Sequence, residues 1–308
     1  MAENREENKK RLIIIDGNAV IHRAFHALPP LTTKAGQLVN AIYGFLLVFF
    51  KAAKEFQPDF IVATFDAPGP TFRHQKYQPY KATREKAPQE LYDQIPKVKE
   101  ILESFNIPIF EKPGLEADDL IGTISKKAPK KQILPEIETI ILTGDMDALQ
   151  LVDKNTKVYV LRKGVKDAVL YNEEKVKEKY QGLTPNQLID FKALRGDPSD
   201  NIPGVFGVGE KTAIKLIKEF GSLENLYSSL EKVSQPLRKK LQDYKEQAFI
   251  SKSLAEIKTD APIDFNLEKC LWGNYDKEKV IQLFKEYEFK TLIDRLPKIC
   301  FGEENQKK

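Results

Sequence analysis

The chain of 308 residues is poor in the residues that build soft-metal and disulfide sites. It has two cysteines, Cys270 and Cys300, at no metal-ligand spacing, and three histidines, all within the first 74 residues. These counts argue against a zinc site and a disulfide framework, and the expectation is two reduced thiols in a cytoplasmic protein. No apolar run reaches the roughly 18–20 residues of a membrane span, and the opening MAENREENKKR is too charged for a secretory leader, so no membrane association is expected. A nucleotide loop is also missing. The glycine-rich stretch at 195–213, RGDPSDNIPGVFGVGEKTA, ends in Gly209-Glu210-Lys211-Thr212, and Glu210 breaks the Gly-Lys-Thr of a Walker loop.

What is present is a hydrophobic share of 41%, enough for a core, and a mildly basic balance of 49 Lys and Arg against 45 Asp and Glu. Several β-rich runs end in acids. RLIIID stops at Asp16, DFIVATFD at Asp66, and ETIILTGDMD at Asp145 and Asp147. NIPIFEKPGLEADD reads as a short strand and turn leading to Glu116, Asp118 and Asp119, with the helix DDLIGTISKKA following. Helix-like stretches at 40–56 and 91–105 lie between these runs. Strands alternating with helices predict an α/β fold with a mainly parallel central sheet. TKVYVLR and DAVLYN, joined by KGVK, read as a hairpin near the sheet edge. From 184 onward strands give way to helices, with Thr184 read as an N-cap and Pro185 as the first helical residue. EKTAIKLIKEFG places Ala213, Ile214, Leu216, Ile217 and Phe220 on one helical face, with Gly221 at its end. The expected organisation is an α/β core over 11–183 and a helical subdomain over 184–298, joined without a tether, with frayed tails at 1–10 and 302–308. Residues 67–90, rich in Pro, Tyr, Lys and Arg, are long for a connection, which marks a functional loop.

Nine acids fall at strand ends or in the stretch quoted above: Asp16, Asp66, Glu116, Asp118, Asp119, Asp145, Asp147, Asp197 and Asp200. Ligands of such sheets bind beyond the carboxyl ends of the strands, so these side chains should converge. Close carboxylates repel by several kcal/mol, on the order expected at intermediate dielectric, and a cation or protonation must relieve this. Oxygen ligands without Cys or His suit Mg²⁺, or Mn²⁺ in its place. Two such ions can stabilise the attacking and leaving oxygens of a phosphoryl displacement. Setting the nine aside leaves 36 acids against 49 basic residues, a basic surface suited to a polyanion.

IIIDGNAVIHRAFHAL, NAIYGF, ATFDAPGPTFRH, YKATR, GLEADDLIGT, ILTGDMDALQLV and LRGDPSDNIPGVFGVGEKTA occur in this order. Together they resemble the 5′→3′ exonuclease domains of bacterial DNA polymerase I, within the flap endonuclease family, over about 11–297. The resemblance implies a PIN-like 5′ nuclease core, a helical arch or clamp over 67–100, and a helix-hairpin-helix around 201–220. It implies a Mg²⁺-dependent hydrolase that removes 5′ flaps and RNA primers by a two-metal mechanism. Asp16, Glu116, Asp118 and Asp145 would serve one metal subsite, and Asp197 and Asp200 the other. Asp66, Asp119 and Asp147 would be ligands or groups behind the ligands. Lys81 and Arg84, at the base of the arch, would steer the scissile phosphate, with Tyr80 beside them and Lys192 next to the metals. Arg73 is a weaker phosphate-binding candidate, and Tyr43 and Phe45 fit base stacking or core packing equally. In the hairpin, Gly204, Gly207, Gly209, Lys211 and Thr212 would approach a DNA phosphate, with K⁺ under the loop. Met146 stands where relatives often carry Lys, and APKKQILPE reads as an extended surface loop. The implied partners of this monomer are branched or nicked duplex DNA with a 5′ single-stranded flap, RNA primer–DNA junctions, and a linked or separate DNA polymerase in a bacterial cytoplasm. Two rivals remain. A non-catalytic branched-DNA-binding module would not need the full acid set. A phosphatase built on LIIIDGNAV would want an acid where Asn18 stands.

Overall fold

The computed structural model describes residues 9–128, 136–165 and 167–296. The APKKQILPE loop and the tails expected to fray fall largely outside these residues, as does Cys300. The order of elements is β1 (Lys10–Asp16), α1 (Gly17–Ala27), α2 (Asn40–Phe56), β2 (Phe60–Thr64), α3 (Phe72–Lys76), α4 (Gln89–Tyr92), α5 (Ile95–Ser104), β3 (Ile109–Phe110), α6 (Ala117–Lys127) and β4 (Ile137–Thr143). A 3-10 turn (Asp147–Leu151) leads to β5 (Thr156–Leu161), β6 (Ala168–Tyr171) and α7 (Glu173–Lys179). The helical part holds α8 (Gln187–Arg195), α9 (Glu210–Phe220), α10 (Leu223–Ser228), α11 (Gln235–Asp243) and α12 (Lys245–Ala255), followed by α13 (Lys277–Glu286) and α14 (Lys290–Ile293).

The six strands form one sheet in the order β3-β2-β1-β4-β5-β6. The first five are parallel, and β6 closes the edge antiparallel to β5, as the hairpin reading expects. The unbroken apolar run LIII follows from burial on both faces. Ile13 and Ile15 face α1, α2 and α5, while Leu12 and Ile14 face α6 and the helical part. The chain runs outward from β1 through β2 to β3 and resumes on the other side with β4. The direction of winding therefore reverses between β1 and β4, and a crevice opens at their carboxyl ends.

The second core is shared. Residues of β4 and β5 pack in one cluster with Leu194, Ile214, Ile217 and Leu241, so the helical part is continuous with the sheet. Residues after Leu271, expected within the helical subdomain, return to the other face. Leu271 bridges to Phe60, and Phe284, Phe289 and Leu292 join the cluster around α2 and α5.

Three helix boundaries differ from the expectation. The stretch 91–105 is divided between α4 and α5. Pro96 has no N–H to donate back to the preceding turn, so it occupies the first turn of a new helix. Thr184 does not cap α8. Its N–H donates to Gln187 Oε1 (2.9 Å), which holds a turn before the helix, and Asn186 takes the cap position. Between Lys76 and Gln89 the arch segment makes turns over 78–83 and then runs without regular structure to Pro88, with α3 and α4 as its short helical ends.

Candidate metal centre and nucleic-acid interface

The crevice is a cleft of about 760 Å³ lined by Asp16, Asp66, Glu116, Asp118, Asp145, Asp147 and Asp197, with Lys81, Arg84 and Lys192 among them. Three of these acids are fixed by hydrogen bonds at the strand ends. Asp16 ends β1 and caps α1, accepting from Ala19 N–H (3.0 Å) and from the Thr143 hydroxyl of β4 (2.6 Å). Asp66 accepts from Ala117 N–H (2.8 Å), and its own N–H donates to Asn18 Oδ1 (2.9 Å). Asn18 thus braces Asp66, an architectural task that accounts for the missing acid of the phosphatase reading. Asp145 accepts from Asp147 N–H (2.8 Å).

The electrostatics divide the acids into two groups. Burial, partly offset by the Thr143 hydrogen bond, pushes Asp16 up to about 7. Burial, then Asp145 and Asp16, hold Asp118 well above the carboxylate range. Burial and Asp145 raise Asp147 to about 6 despite its contact with Lys192. The other group carries its own counter-ions. Asp197 is lowered to about 2, because the Lys192 ammonium at 2.6 Å and the Ser199 hydroxyl at 2.7 Å outweigh burial. Lys192 also contacts Asp147. Burial opposes its charge, but these two acids hold its ammonium above the ordinary range. Arg84 pairs with Asp200, and Lys81 pairs with Glu116 at 3.0 Å. Lys81 sits at a left-handed φ of 54°, and its N–H donates to Asp200 O (2.9 Å), which ties the arch segment to the 197–202 loop.

Among the described residues no three acidic, His or Cys side chains already form a metal cage. The donors nonetheless suit a hard cation. They are carboxylate oxygens crowded together: Asp66 and Asp145 raise the buried Asp16, and Asp145, Asp16 and Glu116 raise Asp118 against the opposing charge of Lys81.

Arg73 and Tyr80 lie elsewhere than expected, Asp119, expected as a ligand or behind the ligands, lies away from the cleft surface, and the buried Asp200 does not line the cleft either. Asp119 is fully buried and does not line the cleft. It accepts two hydrogen bonds from Arg73 (both 2.8 Å) and others from Glu116 N–H (3.1 Å) and Lys258 N–H (2.9 Å). Arg73 is only 2% exposed. It also donates to Leu254 O (3.0 Å) and Glu256 O (2.7 Å), which leaves it fastening the helical part to α6 rather than free for a phosphate. Tyr80 is buried as well, and its hydroxyl donates to Glu116 (3.2 Å) and Asp200 (3.3 Å), so it braces acids. Phe45 is a core residue, and Tyr43 packs edge-on against Phe289.

The sequence reading missed the cleft's other wall. Ala19, His22, Arg23 and His26 recur at helical spacing on α1 and all line the cleft. Burial, then His26 and Arg84, lower the His22 pKa. The spacing i, i+3, i+4, i+7 after a strand-end acid was the available signal.

In the hairpin, Gly196 and Gly204 bring two backbone segments into contact, where a Cβ on Gly204 would lie 2.3 Å from Gly196 N. Gly209 differs. It caps α9 at φ −86°, and a Cβ there would meet nothing within 4 Å. Lys211 is exposed and Thr212 half-buried on the first turn of α9.

Two family models cover the chain, the 5′-3′ exonuclease N-terminal resolvase-like domain at residues 11–181 and the 5′-3′ exonuclease C-terminal SAM fold at 183–278. A DNA polymerase I of Bacillus subtilis (strain 168) is 45% identical over 289 residues, 94% of this chain and 32% of that protein. The chain spans about a third of the length of the curated relatives it matches. Among solved structures, a phage T5 flap endonuclease in a pseudo-enzyme-product complex with DNA and metal ions superimposes with a TM-score of 0.67 at 18% identity, covering 93% of this chain and 98% of that one. The catalytic core of Rad2 in complex with DNA substrate gives 0.58 at 19% identity, covering 93% and 90%. At these identities the two structures speak for the fold, and the two matched models place the chain in the 5′-3′ exonuclease family.

Proposed function

We propose that this chain is a structure-specific 5′→3′ exonuclease and 5′-flap endonuclease that hydrolyses phosphodiester bonds with two divalent ions. The observation that carries the proposal is the cleft between β1 and β4, where acids from separate strand ends meet Lys81, Arg84 and Lys192. The family membership and the DNA and metal ions in the related structures support it. When bound, Mg²⁺, or Mn²⁺ in its place, supplies Lewis-acid polarisation of water and of the phosphate. Asp16, Glu116, Asp118 and Asp145 would hold one ion, and Asp197 and Asp200 the other. Asp66 and Asp147 flank these ligands, and Asp119 orients Glu116 from behind. Lys81, Arg84 and Lys192 offer fixed positive charge to the scissile phosphate as negative charge builds on it. The arch segment and the α1 wall guide the 5′ strand, while the hairpin, with K⁺ beneath its loop, holds the duplex. The substrates are 5′ flaps, nicks and RNA primer–DNA junctions in bacterial replication and repair, in the cytoplasm and alongside a linked or separate polymerase.

A labelled 5′-flap duplex with Mg²⁺ tests this. Wild type should cut near the junction, and Asp16→Ala should lose on the order of a thousandfold in rate, the scale of removing preorganised charge at a reacting centre. Binding without turnover in either Mg²⁺ or Mn²⁺ would leave only a branched-DNA-binding module.

A further inference from the structure

Among the described residues the most exposed large apolar side chain is Phe206, at 72%, in the hairpin turn. Its neighbours Val205 and Val208 are buried in the core, while Gly204 and Gly207 take the positive φ values of 63° and 77° that the turn needs. The fold therefore asks nothing apolar of position 206, and a ring held in water forgoes the stabilisation of burial. The ring has company. Tyr244, at the junction of α11 and α12, lies with its centroid 6.1 Å away. Lys240 reaches over the same turn, since a Cβ on Gly207 would lie 2.7 Å from its Nζ. The segments 209–215 and 238–245 together carry five lysines against Glu210 and Asp243, and Glu210 lies toward Arg195 at 3.8 Å.

An apolar ring among lysines suits a polyanion that also offers apolar surface. Duplex DNA does so in its minor groove, where sugar edges and the base stack lie between two rows of phosphates. Apolar side chains are the usual wedges there, and they partly unstack one base step. We propose that Phe206 enters the minor groove of the bound duplex as such a wedge, with Lys240 and Lys211 on the flanking phosphates. The inference rests on the duplex-holding role given to the hairpin above and adds an apolar side chain to that grip.

The test uses a flap-free hairpin duplex carrying 2-aminopurine at successive positions, with chelator present so that no cleavage occurs. Wild type should raise the fluorescence at one base step. Phe206→Ala should abolish that rise and weaken binding about tenfold, the scale of losing one aromatic–base contact, and Phe206→Leu should restore much of both. Equal affinity and fluorescence for wild type and Phe206→Ala would overturn the proposal. So would a Phe206 effect confined to single-stranded DNA or to anionic lipid vesicles. Flap cleavage by wild type is scored separately. Intact cleavage with no Phe206 effect removes the wedge alone, whereas a Phe206-dependent signal without cleavage upholds the wedge and removes the nuclease reading alone.

Discussion

The strand-end cleft and the hairpin are built on opposite principles. The cleft works through side chains crowded together and partly withdrawn from water. Asp16 and Asp118 are held far from their ordinary ionisation by burial and by neighbouring acids, Asp145 beside both. The hairpin works through missing side chains, with Gly196 and Gly204 in backbone contact and Gly209 facing open space. One region concentrates charge and stores repulsion, and the other leaves room. On the function proposed above, chemistry and grip should be separable by mutation, although Asp197 and Asp200 lie on the loop that begins the hairpin.

The largest effect should come from the cleft. Asp118→Ala should cut the cleavage rate on the order of a thousandfold with duplex affinity in chelator unchanged, measured by single-turnover kinetics and by binding. A parallel loss of affinity would erase the separation. Next comes the glycine pair. Gly204→Ala should destabilise the fold by about 2–4 kcal/mol, because φ is positive and a Cβ has no room. Gly209→Ala should stay within about 0.5 kcal/mol of wild type yet bind duplex severalfold more weakly, with denaturant melts and binding isotherms reading the two quantities. If Gly209→Ala bound normally, the open space would have no role in grip. The smallest effect concerns pH. Asp16, near 7, and Asp147, near 6, both lie above their ordinary 3.8. Their folded-state contribution is therefore present below about pH 4 and is lost as pH rises through 6 to 7. Metal-free protein should lose stability across that window, and saturating Mg²⁺ should flatten the slope. Asp197, held near 2, acts in the opposite sense only below about pH 4. Melts that rise with pH in chelator would contradict the assignment of raised carboxyls to the β1 and β4 ends.

Much of this organisation was legible in the sequence because it is local. The apolar period set α2 at Asn40–Phe56, and the run LIII ended at Asp16 where the strand does. What escaped reading is long-range. Arg73 sits in a polar stretch, TFRH, and nothing near it in sequence signals burial. Its partners are Asp119 and the carbonyls of Leu254 and Glu256, far along the chain. Tyr80 is the same case: it stands in the basic arch stretch, and its acceptors Glu116 and Asp200 come from two distant segments. The α1 wall is long-range too, since His22, Arg23 and His26 share a helical face that gains its meaning only where that face meets the other strand ends.

Lys81, Arg84 and Lys192, already seated against Glu116, Asp200, Asp147 and Asp197, have a consequence for the protein's lifetime. A domain that carries internal counter-ions does not need a metal in order to assemble. A zinc finger emptied of its ion unfolds and is cleared. This domain should instead persist through magnesium scarcity, folded and idle. Ion supply would then govern how fast each molecule works, while the number of molecules stays constant.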